Sequence, residues 1–220
     1  MNGAETKLVI FDLGGVVFRH SFDLAVGYWA AKANAEPAVV KARFHRGEAY
    51  ALHEVGAIGI DEYRRRTCDE LGIALSLDEF VAGWNAIFLD EIAGAQRVVE
   101  AIGARYRVAA LSNTNPTHCA VMERKYGGVI GAFHRVFYSH EIHARKPDAG
   151  SYQRVMDEFG VASAQTVFLD DLAENVAGAQ ALGIRTVHVT SFEAMVEGLT
   201  ALDLISSLHG HRSVPAGDHA

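Results

Sequence analysis

The chain has 220 residues, half of them hydrophobic and 21% charged, which is enough for one sizeable packed domain and shows no bias towards disorder. A formal net charge of −7 without any basic stripe excludes a nucleic-acid surface and favours small-molecule partners. No apolar run approaches the ~18 residues of a membrane span, no basic-then-apolar leader opens the sequence, and Cys68 and Cys119 stand far apart without metal-like neighbours; a cytoplasmic protein with reduced core thiols and no membrane contact is expected.

The first element is Lys7 to Val17, K-L-V-I-F-D-L-G-G-V-V. Leu8 to Phe11 run apolar without alternation, the pattern of a strand buried on both faces, and the strand delivers Asp12 to its C-terminal tip. An acid after so apolar a run is costly to bury unless it is paired or holds a cation, and in open parallel sheets ligands sit beyond the strand tips. The other reading is a plain turn, because D-x-G-G is also good turn chemistry.

Phe18 to Leu89 changes to helix-like spacing with few strand signals and reads as a small helical insertion. Phe22, Val26 and Trp29 predict one helix, Val39, Val40 and Phe44 a second, and Asp61 with Tyr63 to Leu71 a third after the turn at Gly56 to Gly59. Ser76 and Glu79 form a capping-box signature, followed by Phe80, Val81, Trp84, Ile87 and Phe88 on one helical face.

From Glu91 strands and helices alternate, as in a parallel sheet with crossover helices. Helices are predicted at Arg97 to Ala104, from Pro116 towards Tyr126 with Asn115 as N-cap, from Asp148 to Phe159, from Ala173 to Leu182 closed by Gly183, and from Phe192 to Leu208. Strands are predicted at Arg107 to Leu111, Arg135 to Ser139, Thr166 to Leu169 and Arg185 to Val189. The organisation is an α/β core over 1–17 and 90–208, a helical cap over 18–89 and a flexible tail over 209–220.

Right-handed crossovers put the C-terminal ends of these strands on one edge of the sheet. Asp12, Ser112 with Asn113, Lys146, and Asp170 with Asp171 therefore converge. Each alone has a plain reading as a turn, a solvated charge or a helix start, but four such coincidences point to one site. Carboxylates from separate strands make a hard-oxygen cage suited to Mg²⁺. A phosphate dianion would bridge the metal and Lys146, held by the Ser112 hydroxyl and the amides of the Ser112 to Asn115 turn. With charge so neutralised, Asp12 can attack phosphorus as a nucleophile.

In combination these motifs resemble the haloacid dehalogenase superfamily: D-L-G-G-V at Asp12 to Val16, L-S-N-T at Leu111 to Thr114, R-K-P-D at Arg145 to Asp148, and F-L-D-D with Asn175. The likeness covers Lys7 to about Val189. It implies a Rossmann-like three-layer fold with a five-stranded parallel sheet in the order 5-4-1-2-3, counting strands along the chain, and a helical cap over the strand tips. By the same resemblance Asp12 is the nucleophile, the Gly14 carbonyl and Asp171 are Mg²⁺ ligands, Asp170 orients water in the metal's shell, and Ser112 and Lys146 bind the phosphoryl group. The subgroup resembled includes sugar-phosphate phosphatases of the glucose-1-phosphate type and the phosphatase domain of soluble epoxide hydrolase. A small phosphorylated metabolite is the expected substrate, and the protein a monomer or homodimer.

One departure stands out. Most phosphatases of that superfamily carry an acid two residues after the nucleophile, where this chain has Gly14. Turnover is therefore expected to favour phosphate esters with acidic leaving groups. The rival readings are a metal-free 2-haloacid dehalogenase, against which the Asp170–Asp171 pair speaks because unneutralised acids repel a carboxylate substrate, and a phosphate- or partner-binding protein without turnover. Arg19, His20, Glu48 and His53 stand at or near the cap as substrate contacts, proton donors or simply exposed polar residues. His140-Glu141-Ile142-His143 is one residue short of a zinc-protease motif, and its histidines do not share a helix face.

Overall fold

The computed structural model describes residues 5–206. Their elements are β1 (Leu8–Phe11), β2 (Phe18–His20), α1 (Phe22–Lys32), α2 (Pro37–Arg43), α3 (Glu48–Glu54), α4 (Ile60–Leu71), α5 (Leu77–Asn85), β3 (Phe88–Glu91), α6 (Ala95–Gly103) and β4 (Arg107–Ser112). After these come α7 (Pro116–Lys125), α8 (Gly127–Ile130), β5 (Arg135–Tyr138), α9 (Ser139–Ile142), α10 (Ala149–Phe159), β6 (Thr166–Asp170), α11 (Ala173–Ala181), β7 (Arg185–His188) and α12 (Phe192–Ala201).

Five parallel strands pair in the order β5-β4-β1-β6-β7, the order that the resemblance implied read from its other edge. β1 lies at the centre because successive residues are buried on opposite faces. Val9 and Phe11 join Val98 and Ile102 of α6, Met122 of α7 and Leu199 of α12, whereas Leu8 and Ile10 join Tyr152 and Val155 of α10 and Ala179 of α11. Burial on both sides is the reason the strand shows no alternation in sequence. The register brings the strand tips level: Phe11 stands opposite Ala110 of β4 and Leu169 of β6, so Asp12, Ser112 and Asp170 emerge together at one edge.

Helices α1 to α5 share a separate apolar cluster around Trp29, Tyr63, Phe80 and Trp84. The expected capping box at Ser76 and Glu79 forms in full and starts α5. Other expectations are corrected. Ile87 and Phe88 lie beyond α5, and Phe88 opens β3, which pairs antiparallel with β2 where the insertion leaves and re-enters the core. Phe88 fits the helical spacing, but its ring meets Phe18 and His118 edge-on, so tertiary packing takes it out of the helix. Helix α3 has no counterpart among the predicted helices. Helix α12 ends at Ala201, because Asp203 at φ +57° reverses the chain and folds Leu204 and Ile205 into the core. Residues 207 and 208 of the helix expected to Leu208, and the tail at 209–220, lie outside the described residues.

The apolar cluster of α1 to α5 is tightly interlocked at Gly83. A Cβ there would overlap the Trp29 indole, whose Nε1 donates to the Phe80 carbonyl at 2.9 Å, and would sit 2.8 Å from the Tyr28 ring. Gly83→Ala should therefore cost about 1–3 kcal/mol through overpacking, although Ala is intrinsically the better helix former. Urea unfolding checks this, and a more stable variant would show that Trp29 has room to move.

Candidate active site

Lys146 is the fixed point of the site. Its ammonium is buried and donates to Asp12 Oδ1 at 2.7 Å and to Asp170 Oδ2 at 2.8 Å. Burial alone would lower its pKa, but the two carboxylates outweigh that and raise it. Asn113 holds the lysine in place by reciprocal bonds: its Nδ2 donates to the Lys146 carbonyl and its Oδ1 accepts from the Lys146 amide, both at 2.9 Å. The tip of β4 is thereby stapled to the loop after α9.

Asp170 has both oxygens engaged by the protein. Oδ1 accepts from the Leu172 amide at 2.8 Å and from Asn175 Nδ2 at 3.0 Å, and Oδ2 accepts from Lys146 and again from Asn175 at 3.0 Å. Asp171 stands differently: it is partly exposed and its carboxylate lies against Gly15, where a Cβ would overlap it. Gly15, at φ +80°, is thus required both by the turn and by this close approach.

Oxygens of Asp12, Asp170 and Asp171 lie within 4.8 Å of one another, the one such acid cluster among the described residues. Three carboxylates against one ammonium leave a formal charge of −2. Burial raises the Asp12 pKa to about 7, with Asp170 and Asp171 adding to the rise and Lys146 opposing it. Burial and Asp170 raise Asp171 as well. Hard oxygen donors, a two-charge deficit and strained carboxylates together fit a divalent cation, which Asp12 and Asp171, with oxygens the protein leaves open, would hold.

A cavity of about 750 Å³ opens between these groups and residues of α1 and α3. Asp12, Gly14, Ser112, Asn113, Lys146, Asp171 and His20 all line it. Arg19 is exposed and outside the wall, as is Glu48, and His53 is buried with its ring stacked on Tyr63. As wall residues, sequence reasoning did not single out Phe22, Phe44, His45, Arg46, Tyr50, Glu54 or His118, or Arg145 beyond its place in a motif. The carboxylate of Glu54, from α3, is paired with Arg145 at 2.8 Å, next to Lys146. No local signal marks that pair, because its members are 91 residues apart.

A model of the haloacid dehalogenase-like hydrolase family matches residues 6–183. A D-ribitol-5-phosphate phosphatase from Bacteroides thetaiotaomicron is 25% identical over 192 residues, 82% of this chain and 90% of that protein. Among solved structures, a HAD-like family hydrolase from Porphyromonas gingivalis superposes with a TM-score of 0.77 at 22% identity, covering 90% of this chain and 98% of the other. A HAD family enzyme from B. thetaiotaomicron in complex with magnesium and inorganic phosphate gives 0.73 at 22% identity, covering 86% and 98%.

The raised Asp12 has a measurable consequence. Its pKa is about 7 in the fold against 3.8 for a free carboxyl, so the metal-free fold is favoured by protonation below about pH 4 and loses that contribution as pH rises through about 7. A cation at Asp12 must displace that proton. Mg²⁺ affinity should weaken by up to ~10-fold per pH unit below about 7, with release of a proton, and level off above. Calorimetric titration in buffers of different ionisation enthalpy checks both, and an affinity flat across this range would show Asp12 already ionised.

Proposed function

The chain belongs to the haloacid dehalogenase-like hydrolase family, and on that premise we propose that it is a Mg²⁺-dependent phosphatase acting on a small phosphomonoester through an aspartyl-phosphate on Asp12. The observation that carries the reading is the buried Lys146 bridging Asp12 and Asp170 with Asp171 alongside, a site two charges short of neutrality. A cation and a phosphate dianion fit such a site together, because the cation corrects the deficit and Lys146 already stands where a phosphoryl oxygen would need a donor.

Asp12, Asp171 and the Gly14 carbonyl would hold the metal, and Asp170 would act indirectly, since its oxygens are engaged by Lys146, Leu172 and Asn175. When bound, the metal supplies charge neutralisation that lets an anionic nucleophile approach an anionic ester. Ser112, at the tip of β4, offers its hydroxyl to the phosphoryl group, and Asn113 acts by positioning Lys146. The Asp12 oxygen forms a bond to phosphorus as the bond to the leaving oxygen breaks. Water then adds to phosphorus, releasing phosphate and restoring the carboxylate. Residues 18–89 act as the cap that closes the cavity from bulk water and selects the ester. A sugar or polyol phosphate agrees with the ribitol-phosphate activity of the B. thetaiotaomicron relative and with polar groups such as Glu54, Arg145 and Arg46 in the wall.

The experiment is a phosphate-release screen over sugar phosphates and other small phosphomonoesters, with Mg²⁺ and with chelator. Turnover that requires the metal is expected, and turnover unaffected by chelator, or dehalogenation of 2-haloacids instead, would contradict the reading. Asp171→Asn should lose Mg²⁺ affinity by more than the ~10–100-fold typical of an outer-shell change. It should melt at the same or a slightly higher temperature without metal, because one of three mutually repelling acids is gone. Undiminished Mg²⁺ binding in that variant would remove Asp171 from the metal site.

A further inference from the structure

In an in-line transfer the leaving oxygen departs on the side away from Asp12, into the cavity under the cap, and gathers negative charge as its bond to phosphorus breaks. Gly14, two residues beyond Asp12, offers no side chain to meet that charge. Its backbone is not in the left-handed region, so conformation does not demand glycine there. What fills the space is an imidazole: a Cβ at Gly14 would lie 3.1 Å from both Nδ1 and Cε1 of His20.

His20 ends β2, where it stands opposite Phe88, and its ring meets Phe22 edge-on at 5.6 Å between centroids. It lines the same cavity as Asp12 and Lys146. Two other imidazoles of the wall are engaged, His45 Nδ1 with the Arg43 carbonyl and His118 Nε2 with the Trp84 carbonyl, both at 3.0 Å. His20 has no hydrogen-bond partner among the described residues. Burial and then the charge of Arg46 lower its pKa.

We propose that His20 is a catalytic residue of the phosphatase reaction proposed above, an imidazole N–H donating a hydrogen bond to the leaving oxygen. Its role is that of a fixed donor aimed at developing charge, and it neither gains nor loses a proton. The leaving alkoxide takes its proton from a cavity water, and the hydroxide so formed adds to the Asp12-bound phosphorus, so that one water is consumed and one alcohol and one phosphate are released. Such a donor matters most when the leaving oxygen is strongly basic. It extends turnover to alkyl phosphates, including those of polyols, despite the missing side chain at Gly14, and so revises the expectation that acidic leaving groups are favoured.

The test is kcat/KM with Mg²⁺ for a series of phosphomonoesters graded from nitrophenyl to primary alkyl, on wild type, His20→Ala, His20→Gln and the double variant His20→Ala/Gly14→Asp, each checked by thermal melting. His20→Ala is expected to leave aryl esters within a few-fold of wild type and to lower alkyl esters by ~10²-fold, steepening the dependence on leaving-group pKa. His20→Gln, with an amide N–H, should recover part of the loss. Asp at position 14 should restore alkyl turnover once the ring is removed. A uniform loss across the series in both His20 variants, or none, would overturn the proposal and leave the phosphatase reading standing. Absence of phosphate release by wild type from every ester would overturn both.

Discussion

An ammonium group taken out of water is tolerated only with negative partners at hydrogen-bond distance, and Lys146 has two, Asp12 and Asp170, each at the tip of a different central strand. The rest of the site depends on this three-way contact. It fixes Asp12 in one orientation and leaves Asp171 as the more exposed acid, and the three acids together keep a net negative charge that a divalent cation would relieve. Because β1 and β6 are paired through Phe11 and Leu169, the acids are brought together by sheet register rather than by loop flexibility.

The end of α3 is tied to the same groups. Ser139, wholly buried, donates to the carbonyl of Glu54 at 2.6 Å and accepts from the amide of Thr114 at 2.8 Å. The end of α3 is thus linked to the segment that follows Ser112. The Glu54 carboxylate meets Arg145, the neighbour of Lys146, and His143 Nδ1 lies 3.0 Å from the Val55 carbonyl. Burial raises the Glu54 pKa and Arg145 offsets part of that rise, so the ion pair depends on the cap staying in contact with the core. Any displacement of α3 would expose the Glu54 carboxylate and free Arg145 beside Lys146.

Much of this was legible in the chain because its central strands are buried on two faces and read as unbroken apolar runs, each ending abruptly in a polar residue. Asp12, Ser112, Lys146, Asp170 and Asp171 were found that way; four of the five line one cavity, and Asp170 reaches the same site through Lys146. What could not be read were contacts between distant segments. Asn113 looks like a turn residue until its bonds to the Lys146 backbone, 33 positions away, are seen. Phe88 follows the helical period of α5 yet pairs with His20 in β3. His20 itself was one of four polar residues near the cap, and its place in the cavity wall beside Gly14 separates it from Arg19, Glu48 and His53.

The central claim is that Asp12 becomes covalently phosphorylated. Acid quenching of the Mg²⁺-loaded protein during turnover, followed by peptide mass spectrometry, tests it most directly. One phosphoryl group on the peptide containing Asp12, absent from Asp12→Asn, is the predicted result. Phosphate release by direct attack of water, with no covalent adduct at any quench time and the Asp12→Asn variant still active, would contradict it.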